Sequence, residues 1–374
     1  MKLKLNIKPV SEWLPGLKHP LVIAGPCSAE SEIQVAETAI AIKEDTNCNV
    51  YRAGIWKPRT RPDCFEGVGE QGLQWLKAVK TITGMYTATE VANAGHVEAC
   101  LKHGIDILWI GARTTVNPFQ VQEIADALKG TDAVVLVKNP VHADIQLWAG
   151  ALERINKAGI TKLGAIHRGF HAFESAPFRN IPLWQLVIEL RTACKELPII
   201  CDPSHICGNT ELIPYISQKA MDMALDGLMI ETHIQPGIAK SDAKQQLTPL
   251  QLKRLLNTLI LRKPDSESAE FKSSLEALRE KINSADEQLL LVLSQRIDYS
   301  KKIGEYKKAN NITILQVNRW EELLKNRMNL GQVMGLNSEF VKEMYSLIHE
   351  ESIQVQTEIM NVGRNNAIRK GELV

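Results

Sequence analysis

AVVLVKNP, residues 133–140, is an unbroken apolar run that turns polar only near its end, at Lys138 and Asn139. Continuous rather than alternating apolarity marks a strand buried on both faces, as in parallel sheets. Seven further runs share this form: LVIAGPCS (21–28), NVYRAGIW (49–56), GMYTATEV (84–91), DILWIGAR (106–113), KLGAIHRGF (162–170), PIICDPSH (198–205) and GLMIETHI (227–234). Each is followed by a helix-like segment. Eight strand and helix pairs in about 240 residues is the arithmetic of an α/β fold of the (β/α)8 TIM-barrel kind, with a doubly wound open sheet as the alternative. Ahead of them KLKLNI (2–7) reads as one short extra strand, ended by Pro9 and the Pro15-Gly16 turn.

Each run starts apolar and carries its chemistry at its end: Cys27, Lys57, Glu90, Arg113, Lys138, Arg168, His205 and Glu231 all sit late in their run or just beyond it. In a barrel those ends meet on one face, the face that carries active sites in barrel enzymes.

From Arg262 the texture changes to KPDSESAE, a linker without an apolar run, which divides the chain into a barrel at 1–261, a linker at 262–271 and a helical region at 272–374. Beyond it Phe271, Leu275, Leu278, Ile282, Leu289, Leu293 and Ile303 repeat at helical spacing. A second helix covers 319–330, residues 331–337 read as a turn, and Ser338 reads as the cap of a third that runs to about Met360. Three helices in about one hundred residues bury little core, so this all-α module is expected to dimerise.

The 374 residues are 44% apolar, enough for sizeable cores, and 44 basic residues nearly balance 43 acidic ones. No global field attracts nucleic acid or an anionic membrane, so any anion site must be local. The amino terminus lacks the apolar core of a signal peptide, and no run approaches the ~20 apolar residues that span a bilayer. Seven cysteines without a C-x-x-C pair read as reduced thiols of a cytoplasmic protein, with no structural disulfide.

Four residues have the donor types of a divalent transition-metal site: Cys27, His205, Glu231, and Asp242 in SDAKQQ. A closed sheet makes the first, seventh and eighth strands neighbours and brings all four to one rim. Thiolate, imidazole and carboxylates together suit a borderline ion such as manganese, iron, cobalt or zinc rather than magnesium or calcium. Beside them stand Arg52, Lys57, Arg59, Arg113, Lys138 and Arg168, with few acids nearby in sequence. Such a ring calls for polyanions, and its size points to two phosphorylated substrates. A Lewis-acid metal between two phosphate pockets fits an aldol-like condensation. Further along, Arg296 and Lys307 fall on nearly one line of the long helix, inside its apolar stripe, while Arg279 points about 100° away. With Arg319, and with Ser352 and Gln356 one turn apart on the third helix, they suggest a dianion pocket that a partner subunit helps to complete.

GPCS, RAGIWKPRT, IGARTT, VKNP, HRGF, DPSH and IETH, in this order over residues 18–260, resemble the 3-deoxy-D-arabino-heptulosonate 7-phosphate (DAHP) synthases. The compact subfamily is the nearest in pattern, the one related to octulosonate 8-phosphate synthases, which typically read K-A-N-R where this chain has Lys57-Pro58-Arg59-Thr60. The resemblance implies condensation of phosphoenolpyruvate with erythrose 4-phosphate. It implies metal binding by Cys27, His205, Glu231 and Asp242, and phosphoenolpyruvate binding by Arg113, Lys138 and Arg168, with Arg52 in support. Arg59 and Thr60 would hold the sugar phosphate, Asp202 the sugar hydroxyls, Lys57 the aldehyde oxygen, and Glu90, through Lys138, the attacking water. Arg61 departs from the serine common in relatives, and the lead-in is too short for the regulatory domain some of them carry.

The run LEALREKINSADEQLLLVLSQR (275–296), with KIGEYK (302–307) and EESIQVQ (350–356), is similar to the all-helical chorismate mutases. That family rearranges chorismate to prephenate by clamping two carboxylates and stabilising charge on the ether oxygen. The resemblance assigns carboxylate binding to Arg296 and to Arg279 from the partner chain of a homodimer. It gives the ether oxygen to Lys307 and Gln356, and the rest of the pocket to Arg319 and Ser352. Gln316 and Trp320 stand where some relatives carry acids. The fusion suggests feedback by prephenate, or a helical module that mainly senses chorismate or prephenate.

Overall fold

The computed structural model describes residues 2–57, 63–172, 177–263 and 267–361. The chain divides into two compact units, Met1–Pro264 and Asp265–Val374. In the first, eight parallel strands close in sequence order into a barrel: β1 (Leu21–Gly25), β2 (Val50–Arg52), β3 (Tyr86–Val91), β4 (Ile107–Ile110), β5 (Val134–Lys138), β6 (Leu163–His167), β7 (Ile199–Cys201) and β8 (Gly227–Glu231). The closed barrel, not the open sheet, is the fold. Around it lie α1 (Glu32–Asp45), α2 (Gln71–Thr83), α3 (Ala94–His103), α4 (Ala112–Thr115), α5 (Pro118–Leu128), α6 (Ile145–Lys157), α7 (Trp184–Ala193), α8 (Pro203–Cys207), α9 (Ile213–Asp222) and α10 (Pro249–Thr258). The helices start where short polar side chains cap them. Ser31 accepts from the Gln34 amide, Asn93 from His96 and Asp144 from Leu147, and Thr248 forms a reciprocal capping box with Gln251.

Register sets the site. Leu21 pairs with Gly227 and Gly25 with Glu231, so the loop carrying Cys27 leaves the barrel directly beside the Glu231 side of the sheet. Gly25 is required here: its φ is 147° and a Cβ would lie 2.1 Å from the Arg52 carbonyl oxygen.

Two cores share the sheet. One fills the space between strands and helices, and the other fills the barrel lumen with residues such as Ile23, Leu136, Ile166 and Met229. The lumen also contains Trp13, 1% exposed, whose indole N–H donates to the Lys8 carbonyl at 2.9 Å. Trp13 plugs the amino-terminal end of the barrel, and Gly164 leaves it room, since a Cβ there would sit 2.8 Å from its ring. Trp13→Ala is expected to destabilise the barrel by about 3–5 kcal/mol, read from urea unfolding, because the lumen cannot collapse onto the void.

The lead-in departs from expectation. Residues 2–7 form no strand; Leu3 and Lys8 donate single amide bonds to the Ala193 and Thr161 carbonyls, and a short 3-10 turn follows at Val10–Glu12. A barrel whose eight strands already pair in a ring offers no free edge to a ninth.

The described residues of the second unit form α11 (Ala269–Ala309), α12 (Val317–Val333) and α13 (Ser338–Asn361). Two details correct the sequence reading. Gly331 lies inside α12, not in a turn, because Val341 packs where a Cβ would fall, 2.7 Å from its Cγ2. Asn337, rather than Ser338, caps α13, its side-chain oxygen accepting from the Phe340 amide at 3.0 Å. Little of the apolar stripe of α11 is covered within one chain: Leu278, Ile282, Leu289 and Leu290 are all more than half exposed.

Candidate active sites

The carboxyl ends of the strands gather the predicted donors. Cys27 is fixed by its amide, which donates to the Gln246 side chain at 2.9 Å, and its thiol lies 3.2 Å from Asp242 Oδ2 and 3.2 Å from Lys57 Nζ. Gly54 clears the path of Lys57, since a Cβ would meet Nζ at 2.7 Å. Ligand atoms of Cys27, Glu231 and Asp242 lie within 4.8 Å of one another. His205 stands at the edge of this group, with Nε2 3.7 Å from Glu231 Oε1 and Nδ1 2.8 Å from Asp202 Oδ2. Glu231 Oε1 is fully buried and has no hydrogen-bond partner among the described residues. A buried anionic oxygen between the His205 imidazole and the Arg52 guanidinium, in a carboxylate grouped with a thiol and a second carboxylate, fits a divalent cation.

Electrostatics supports that fit. Burial, with the Glu231 charge adding to it, pushes the Cys27 thiol up to about 12, so only a strong local cation would make it a thiolate. Burial alone would also raise the carboxyls of Asp202, Glu231 and Asp242. The nearby His205 with Lys138, Arg52 and Arg179 outweighs it and holds all three below the usual carboxylate range. Burial holds His205 itself below its ordinary value, against the pull of Asp202 and Glu231.

Next to this group a cavity of about 360 Å³ is lined by Glu90, Arg113, Lys138, Arg168, Arg179 and His205, among others. Its cations are better neutralised than sequence proximity suggests. Lys138, 4% exposed, pairs with Asp202 at 2.8 Å, and buried Arg52 lies 3.4 Å from Glu231. Burial lowers Arg168 to about 10, still cationic at pH 7. Asp202 is fully buried, shared between Lys138 and His205.

Four residues that sequence reasoning did not single out complete the site. Trp109 lies under the Arg52 guanidinium at 4.8 Å and under Lys138 Nζ at 5.8 Å, and donates its indole N–H to Glu90 at 3.0 Å. Arg179, Asn180 and Gln245 form bonds around the donors. Of these only Gln245 lay in a stretch already marked, SDAKQQ. Arg59 and Thr60 lie outside the described residues.

In the second unit, Arg296 Nη1 donates to Ser352 Oγ at 2.5 Å and to the Ile348 carbonyl, and Lys307 donates to the Ile314 carbonyl. Gln356 is 7% exposed, with its side-chain N–H on the Ser352 carbonyl and its oxygen buried without a hydrogen-bond partner among the described residues. Arg319 is exposed and pairs with Glu322 at 3.1 Å; Arg279 is exposed and pairs with Glu276 at 3.5 Å. Seventeen residues of one helix separate Arg279 from Arg296, about 25 Å, so a single chain does not bring these two together. Gln316 is the N-cap residue of α12, and Trp320 stacks on His349 with ring centroids 4.1 Å apart.

Comparison with known proteins follows this division. The sequence pattern of the DAHP synthetase I family matches residues 5–265, and that of chorismate mutase type II matches residues 278–357. A phospho-2-dehydro-3-deoxyheptonate aldolase of Thermotoga maritima is 34% identical over 226 residues, 60% of this chain and 64% of the relative. A 2-dehydro-3-deoxyphosphooctonate aldolase of Helicobacter pylori is 27% identical over 275 residues, 64% of this chain and 94% of the relative. The crystal structure of a Thermotoga maritima DAHP synthase superposes with a TM-score of 0.57 at 31% identity, covering 69% of each chain. The chain spans somewhat less than two thirds of the Thermotoga aldolase sequence. With a barrel whose strand ends carry these motifs, the chain belongs to the DAHP synthetase I family, and a region that matches chorismate mutase type II follows the barrel.

Proposed function

We propose that the chain is a bifunctional enzyme of aromatic amino-acid biosynthesis in the cytoplasm. Its barrel condenses phosphoenolpyruvate with erythrose 4-phosphate and water to DAHP and phosphate, and its helices rearrange chorismate to prephenate. The observation that carries the first activity is the junction of the Cys27, Glu231 and Asp242 donors with a cation-lined cavity. No helix of the described residues is long and apolar enough to cross a membrane, and all seven cysteines are free.

Arg113, Lys138 and Arg168 hold the phosphate and carboxylate of phosphoenolpyruvate in the cavity. A divalent metal, manganese in preference to iron, cobalt or zinc, would be held by Cys27, His205, Glu231 and Asp242 and would supply Lewis-acid polarisation of the aldehyde. Lys57 protonates the aldehyde oxygen as carbon three of the enolpyruvate attacks, a role supported by its position against the Cys27 thiol. Arg59 and Thr60 hold the sugar phosphate. Asp202 acts by orienting Lys138 and His205, which leaves it little capacity for sugar hydroxyls. Glu90 receives the proton of the water that adds at carbon two, and phosphate leaves. Gly111 gives Glu90 its place, because a Cβ would lie 2.1 Å from Glu90 Oε1. Gly111→Ala is therefore expected to cut synthase kcat by about 10²-fold with the fold and the mutase rate unchanged. An unchanged kcat would remove Glu90 from the chemistry.

For the mutase, Arg296 with Ser352 binds one carboxylate, Lys307 and Gln356 face the ether oxygen, and Arg319 and the partner's copy of Arg279 complete the pocket of a homodimer. Exposed apolar residues along α11 support that partner. The alternative, a helical unit that mainly senses chorismate or prephenate, is favoured by the stacking of Trp320 on His349, which offers no carboxylate to a substrate hydroxyl. Prephenate is expected to inhibit the synthase in either case. The test assays the full chain with erythrose 4-phosphate against arabinose 5-phosphate, and with chorismate, each with and without prephenate. Preference for arabinose 5-phosphate would make the barrel an octulosonate enzyme. Absence of chorismate turnover would leave only the sensor, and a synthase rate indifferent to saturating prephenate would remove feedback.

A further inference from the structure

Arg179 and Asn180 lie between β6 and α7, and both amides are pinned to the short helix that carries His205. Arg179 N–H and Asn180 N–H donate to the Ile206 carbonyl at 3.0 and 3.1 Å. Gly208, in the left-handed region, lets the Arg179 side chain pass, since a Cβ there would stand 2.5 Å from Arg179 Cβ. The two side chains then diverge. Asn180 accepts from Arg168 at 2.7 Å and donates to the His205 carbonyl at 2.6 Å, tying the cation-lined wall to the histidine.

Arg179 Nη1 donates to Asp242 Oδ1 at 2.9 Å and to Gln245 Oε1 at 2.7 Å, and buried Gln245 passes the bond on, donating to Glu231 Oε2 at 2.7 Å. Each carboxylate thus has one oxygen occupied by this clamp. The other is outside the clamp: Asp242 Oδ2 lies 3.2 Å from the Cys27 sulfur, and Glu231 Oε1, buried without a hydrogen-bond partner among the described residues, faces His205 at 3.7 Å and the Arg52 guanidinium at 3.4 Å. Outer groups that fix the orientation of ligands in this way raise a site's affinity.

We propose that Arg179 is a positioning residue that orients Asp242 directly, and Glu231 through Gln245, so that each presents one oxygen to a divalent cation. This rests on the metal-site reading above. It assigns Arg179 to the metal side of the cavity rather than to the phosphate side, although it lines the same space as Arg113 and Arg168.

The test is Mn2+ titration of the metal-free full chain, followed by paramagnetic resonance of the free ion, for wild type, Arg179→Gln, Arg179→Lys and Cys27→Ala. Arg179→Gln is expected to weaken Mn2+ binding by about 10- to 100-fold. Arg179→Lys should recover part of that loss, since one ammonium cannot serve both acceptors with the fork of an arginine. At saturating Mn2+, KM for phosphoenolpyruvate should stay within about twofold of wild type, because the contact acts on the metal ligands. Mn2+ affinity equal to wild type in Arg179→Gln overturns the proposal. So does a raised KM for phosphoenolpyruvate as the sole defect, which would make Arg179 a substrate cation. If Arg179→Gln does not fold, Gln245→Met decides: it keeps the Arg179–Asp242 pair and cuts the link to Glu231, so unchanged affinity there also overturns the proposal. A wild-type chain that takes up no more Mn2+ than Cys27→Ala defeats the metal-site reading itself, and the proposal with it.

Discussion

Arg296→Ala is expected to lower chorismate turnover by about 10²- to 10³-fold, the scale of losing a preorganised charge at a transition state. The guanidinium is preorganised by α13, where Ser352 and the Ile348 carbonyl fix it from within the same chain. Arg296→Lys should recover little, because an ammonium cannot present the paired N–H fork that a carboxylate accepts. The dimer enters through Arg279, which one chain keeps about 25 Å along α11 from Arg296. Arg279→Ala should be as damaging as Arg296→Ala, yet a mixture of the two inactive proteins, unfolded and refolded together, should regain about a quarter of wild-type turnover. Random pairing makes half of the dimers mixed, each with one intact site. Chorismate consumption measured before and after mixing reads this directly. A mixture as dead as its components would place both arginines in the same chain's site or in none.

Glu231→Gln should remove metal binding and synthase activity and also lower the stability of the barrel by about 3–5 kcal/mol, the cost of leaving one member of a buried ion pair alone. The reason is Arg52, 1% exposed, whose counter-charge is Glu231 at 3.4 Å. Trp109 beneath the guanidinium compensates only in part. Urea unfolding of the metal-free protein separates the two effects: loss of activity without loss of stability would mean that Arg52 is balanced by other groups.

The barrel was legible because parallel strands leave a strong mark. AVVLVKNP and its seven counterparts are apolar where the sheet is covered and polar where it opens, and closure then made neighbours of Cys27 and Glu231 without any motif linking them. KLKLNI misled for the opposite reason. Its alternation is that of a strand, but a strand also needs an edge, and a closed ring has none. Trp109 was hidden in plain sight, an apolar residue within an apolar run whose ring face serves Arg52 and Lys138. Arg179 and Asn180 lie beyond the end of β6, where no periodicity speaks for a residue. Their partners, Asp242, Gln245 and His205, are distant in sequence and met only through the fold. In the helical unit helical spacing linked Arg296 with Lys307 and Ser352 with Gln356, whereas Gly331 showed as a turn because the packing of Val341 that requires it is a tertiary contact.

The central claim is that one chain holds two chemistries, one that needs a metal and one that does not. The most direct measurement follows DAHP formation and chorismate consumption in the same full-length sample before chelation, after chelation, and after Mn2+ is returned. The synthase rate should fall to background and recover, while the mutase rate stays constant throughout. A synthase rate that survives chelator, in protein shown to be metal-free, would contradict the reading of the Cys27, His205, Glu231 and Asp242 site, and a mutase rate that falls in parallel would contradict the separation of the two.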